Sequence, residues 1–135
     1  NLNNDRPFRL TKFRDRKIPP KSILFENREF DGVFNYLRKN SNLDDEVNIS
    51  YSSFGGGDPK NLLIFDDQNL SFFTENKENS WICFEFRKRK FIPKNYTMRS
   101  YNWTKNVSHP KSWVIEGSND KNEWLIIDQE EDCLF

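Results

Sequence analysis

Beyond residue 46 the large apolar side chains recur in short runs, several with a period of two. Each run is closed by asparagine, aspartate, proline or glycine. Such punctuation leaves no room for long helices and predicts strands. Val47, Ile49 and Tyr51 alternate with Asn48, Ser50 and Ser52 until Gly55-Gly56-Gly57-Asp58-Pro59 ends the run. Further strands are expected over 62–65, 81–86, 94–100, 112–118 and 124–128. In 81–86, Ile82, Phe84 and Phe86 share one face, while Trp81, Cys83 and Glu85 share the other. Only Phe30, Val33, Phe34 and Leu37 fall at i, i+3, i+4 and i+7, which predicts one short amphipathic helix with Asp31 as its N-cap. The expected fold class is therefore all-β, a sandwich or jelly roll behind a single leading α-helix.

The 135 residues suit one core. The residues are 35 % apolar, with no alanine, but 16 % are aromatic, so a few large side chains must supply most of the burial. Trp81, Trp113, Ile115 and Trp124 are expected in that core. Residues 1–29 read as a linker or tail around Pro19-Pro20, whose apolar members Phe8, Leu10, Phe13, Ile18, Ile23, Leu24 and Phe25 are available for docking on the domain or on a preceding one, and residues 30–135 read as the domain. A chain opening on Asn1 rather than Met reads as a piece of a longer polypeptide with an upstream domain. Twenty-one basic residues balance 21 acidic ones, so no global charge draws the chain to nucleic acid or to an anionic membrane. No apolar run has the length of a membrane span. Cys83 and Cys133 lie far apart outside any C-x-x-C pair and read as reduced thiols. Against an intracellular site stand N-x-S/T sequons at Asn48, Asn69, Asn95, Asn102 and Asn106.

Catalytic constellations are scarce. The one histidine, His109, precedes Pro110, and the side chains of adjacent Asp66 and Asp67 diverge in extended backbone. No nucleophile elbow or zinc spacing occurs, so a non-enzyme is expected. Gly55-Gly56-Gly57 lacks the Gly-Lys-Ser/Thr of a phosphate loop and reads as a flexible turn. Asp66 and Asp67 offer hard oxygen ligands for calcium without EF-hand spacing; a solvated or Asx turn is the competing reading. Arg87-Lys88-Arg89-Lys90 reads as a charged connection between strands rather than a phosphate site. The richest loop is 101–109, where Tyr101, Asn102, Trp103, Lys105 and His109 combine stacking faces with hydrogen-bonding groups. Either these residues bind a partner protein or a sugar, or Tyr101 and Trp103 fold back on the core.

Residues 109–120, His-Pro-Lys-Ser-Trp-Val-Ile-Glu-Gly-Ser-Asn-Asp, followed by Trp124 and Ile126-Ile127-Asp128, resemble the coagulation-factor type C, or discoidin, family. There a strand bearing Trp-x-(Ile/Leu)-x-Gly-Ser turns through Asn-Asp and returns with Trp-x-x-(Ile/Leu)-Asp. Pro59-Lys60-Asn61-Leu62-Leu63, the Asp66-Asp67 loop and residues 81–86 are similar to the family's asparagine-aspartate loop and its Trp-led strand, and 30–37 is similar to the helix ahead of some intracellular members. The resemblance implies a galactose-binding-like jelly roll whose loops at one end bind glycans, lipid head groups or proteins. It also implies calcium as the one cofactor to consider, although its ligand set in sugar-binding relatives draws on a segment beyond Phe135, where the family continues through its closing strands. Secreted members tie their first and last strands with a disulfide, for which Cys133 has no partner near residue 30. The expectation is thus a cytoplasmic protein-interaction module, similar to those appended to BTB adaptors of ubiquitin ligases; the alternative is an extracellular carbohydrate-binding module.

Overall fold

The computed structural model describes residues 31–64, 70–99 and 110–133. Within them short antiparallel sheets predominate and helices are few. Helix α1, Val33–Asn40, carries Val33, Phe34 and Leu37 inward, and Leu37 is fully buried. Its N-cap is Gly32, with no side-chain cap; Asp31 instead accepts from the Asn35 amide and pairs with Lys39 at 3.8 Å, one turn and two turns along. At the other end the Ser41 N–H and Oγ–H both donate to the Leu37 carbonyl (2.8 and 2.9 Å), while Arg38 and Lys39 suit the negative end of the helix dipole. A single turn, α2 (Leu43–Glu46), follows, capped by Asn42, whose side chain accepts from the Asp44 N–H.

Strand β1, Val47–Tyr51, pairs antiparallel with β4, Ile82–Phe86, in the register Val47↔Phe86, Ile49↔Phe84 and Tyr51↔Ile82. Residues paired across a ladder share a face, so the alternation of both runs separates apolar Val47, Ile49, Phe84 and Phe86 from Asn48, Ser50, Cys83 and Glu85. Helix α1 covers the apolar face. The Phe34 ring lies 5.1 Å from Phe84 and 5.8 Å from Phe86, and Leu37, Val47 and Leu63 form the buried centre of this small core.

Of the expected strand over 62–65, Leu62 and Leu63 instead belong to a 3-10 helix, Pro59–Leu63. The reason is local: Asp58 accepts from the Lys60 N–H at 2.9 Å and Pro59 presets φ at the first helical position. The triple glycine is not a free turn. Gly56–Gly57 forms β2, antiparallel to β3 (Phe72–Phe73), and a Cβ on Gly57, where φ is +83°, would lie 2.0 Å from the Ser71 carbonyl oxygen. Phe72 then packs against Tyr51 and Phe54, with centroids 4.9 and 6.2 Å apart.

Residues 94–99 form no strand. Their alternating apolar side chains, Tyr96 and Met98, are exposed, so burial rewards no ladder here. The last element is a ribbon of β5 (Trp113–Gly117) and β6 (Leu125–Glu130), with a bulge between Ile115 and Glu116 that leaves Ile127 unmatched. The turn between them is held by side chains. Ser118 Oγ accepts from the N–H groups of Asp120 and Lys121, and Asp120 Oδ1 accepts from those of Asn122 and Glu123. No helix among the described residues is long and apolar enough to cross a membrane.

Candidate interaction surface

Tyr101, Asn102, Trp103, Lys105 and His109, with Asp66 and Asp67, lie outside the described residues. Among the described residues the feature that most needs a functional account is the β5–β6 ribbon. Ladder partners place Trp113, Ile115, Asp128 and Glu130 on one face and Val114, Glu116, Ile126 and Gln129 on the other. On the first face the Tyr96 hydroxyl donates to Asp128 Oδ2 at 2.6 Å and accepts from the Trp113 indole N–H at 3.0 Å. One phenol thereby joins the segment before residue 100 to both strands. The bond to Asp128 is also the main cause of a Tyr96 pKa above its ordinary value, because ionisation would set two negative groups against each other.

The opposite face has no such cover: Val114 is exposed and Ile126 is 63 % exposed. Leu125 and Ile127 are exposed as well. The expectation that the tryptophans form the core fails in part. Trp81 is 51 % and Trp124 43 % exposed, while Trp113 and Ile115 are half-buried. Each exposed indole sits one residue ahead of its strand, beyond the ladder. The Trp124 indole N–H donates to the Lys121 carbonyl, at 3.2 Å.

The ribbon is also the acidic part of a neutral chain. Residues 110–133 carry seven acidic side chains against two basic ones, a net of −5. One of the two, Lys121, pairs with Glu85 across the gap to β4, and its ammonium holds the Glu85 carboxyl below the usual range. Asp120 is held low by the two backbone donors of its turn. Cys133, half-buried with Glu130 beside it, has its thiol pKa raised first by desolvation and then by that carboxylate. Both cysteines are free.

Among the described residues every buried side-chain nitrogen and oxygen has a hydrogen-bond partner. Buried Glu46 receives a fork from Arg89, Nε and Nη2 each at 3.0 Å, so one member of the basic run 87–90 serves the core. The open hollow beside Arg38, Asp44, Lys60 and Leu63 contains a lysine already committed to Asp44 at 2.8 Å. The described residues include no group of three or more His, Cys, Asp or Glu side chains arranged to hold a metal. The Tyr96–Asp128 bridge and the open Val114–Ile126 face were not foreseen from sequence. The signal for the second was present: three consecutive apolar residues, Leu125-Ile126-Ile127, must place apolar side chains on both faces of a strand. Comparison of the chain with protein-family models, with curated proteins and with solved structures finds no match.

Proposed function

We propose that this chain is a non-catalytic protein-interaction module of the discoidin type, a galactose-binding-like jelly roll serving a larger intracellular protein such as a ubiquitin-ligase adaptor. The observation that carries the reading is the β5–β6 ribbon. The motif on which the resemblance rests forms an antiparallel pair turning on Ser118, Asn119 and Asp120, and it holds large apolar side chains in solvent. Exposed apolar surface of this kind marks interaction sites. Two free thiols accord with a reducing compartment. Within this reading Trp103, in the segment that precedes β5 in sequence, anchors the partner, and Tyr101, Asn102, Lys105 and His109 are the further candidate contacts.

The test is affinity capture with the 135-residue chain and its Trp103→Ala variant, beside a glycan array. The expected outcome is a protein retained by the wild type and weakened by about 2 kcal/mol or more in the variant, whose melting is unchanged. Saturable glycan binding without a protein partner would establish the carbohydrate-binding alternative instead.

A further inference from the structure

We propose that the outer edge of β6 is a docking edge for an extended basic peptide strand of a partner protein, in which apolar residues alternate with lysine or arginine. The inference rests on the reading of the chain as a protein-binding module and names the chemistry of a partner. Three observations carry it. First, β6 has β5 on one side, and among the described residues no strand pairs with its other side. Its outward backbone groups are a template for strand addition, which supplies affinity through main-chain hydrogen bonds and specificity through alternate side chains. Second, the first half of the strand, Leu125 to Ile127, presents apolar side chains to solvent on both faces, matching the apolar members of an added strand. Third, beyond Asp128, which the Tyr96 hydroxyl already engages, the chain continues into exposed Glu130, Glu131 and Asp132 within a ribbon of net charge −5. Cations spaced two apart along an added strand would face these carboxylates and steer its approach.

Register and charge both disfavour a second copy as occupant. Two antiparallel β6 edges centred on each other would set Leu125 opposite Glu130 and Ile127 opposite Asp128, with both acidic ribbons brought together. A cationic partner strand meets neither penalty.

The experiment uses a fluorescein-labelled peptide of about ten residues, alternating valine or isoleucine with lysine, titrated with the 135-residue chain by anisotropy. Saturable binding is expected. It should weaken about tenfold in Ile126→Lys and in Glu130→Lys, each with unchanged circular dichroism and melting. Binding should also weaken as salt rises from about 0.05 to 0.3 M, and it should vanish when alternate peptide amides are N-methylated. The docking edge is overturned if a glutamate-for-lysine peptide binds equally, if N-methylation has no effect, if both variants bind like wild type, or if the chain self-associates or binds no peptide. Should the peptide fail while Trp103-dependent capture of a protein persists, the docking edge falls and the module reading stands. Should the peptide bind while no protein is captured through Trp103, the docking edge stands and the loop-centred module reading falls.

Discussion

Glu46 shows how one residue ties distant parts of the sequence together. Its side chain is 4 % exposed, and the two nitrogens of Arg89 that reach it come from a segment 43 residues further on. Arg89 is itself 43 % exposed, which tempers the Coulombic gain, but removing it leaves a carboxylate buried without its donors. Arg89→Ala should therefore cost about 1–3 kcal/mol, and Arg89→Lys, which lacks the planar fork, should recover only part. Urea denaturation measures both; equal midpoints for wild type and Arg89→Ala would contradict the assignment. Asp120 offers a second test, through pH. The N–H groups of Glu123 and Asn122 stabilise its charged form, so its folded pKa lies below the unfolded one. The contribution of this carboxylate to the turn is then present above the unfolded value of about 3.9 and is lost as pH falls through the lower folded value. The amide resonances of Asn122 and Glu123 should titrate with a midpoint below about 3.9 in the wild type and should not titrate in Asp120→Asn. A midpoint at the ordinary aspartate value would show that the turn gives the carboxylate no support.

Among the elements, α1 has the most to lose. Leu37 is the only fully buried large side chain among the described residues, and it touches the strand pair below, so Leu37→Ala should destabilise the chain by about 2–5 kcal/mol in thermal or chemical melts. A loss under about 0.5 kcal/mol, the scale of an ordinary surface substitution, would mean that the helix does not cover the sheet. That the helix and four strands could be read from sequence follows from period: Val33, Phe34 and Leu37, then Val47, Ile49, Phe84 and Phe86, repeat as their elements require. What could not be read depended on competition between local and distant effects. Leu62 and Leu63 look like a strand until the cap of Asp58 and the fixed φ of Pro59 prevail. Gly55 to Gly57 look like a turn, because nothing local says that Ser71 and Phe72 will lie close enough to exclude a side chain. Tyr96 and Met98 alternate as a strand would, yet Tyr96 is held through its hydroxyl rather than its backbone. The candidate site read from sequence, Tyr101 to His109, lies outside the described residues. The aromatic segment 101–109 was singled out by composition, whereas the exposed ribbon became visible only when the ladder assigned Val114 and Ile126 to one exposed face.

At the scale of the whole molecule, the described residues hold an apolar attachment and a set of polar ones. Helix α1 joins β1 and β4 through phenylalanine rings and a buried leucine. Among the described residues the bonds that join the β5–β6 ribbon to the rest include Lys121–Glu85 at 2.6 Å, Lys90 to Asn119 at 2.7 Å and the two bonds of Tyr96. Exposed pairs of this sort contribute about 0–1 kcal/mol each, much less than a buried side chain. The ribbon should therefore open at a lower free energy than the β1–β4 pair, as low-stability segments that bind partners commonly do. Native-state hydrogen exchange tests this directly: amides of Trp113–Gly117 and Leu125–Glu130 should exchange ahead of those of Val47–Tyr51 and Ile82–Phe86. Tyr96→Phe, which removes both hydroxyl bonds while keeping the ring, should hasten exchange in the ribbon and leave β1 and β4 unchanged. If all four strands exchanged together, and Tyr96→Phe moved them equally, the ribbon would belong to the same cooperative unit as the core, and its exposed leucine and isoleucines would be part of one indivisible fold.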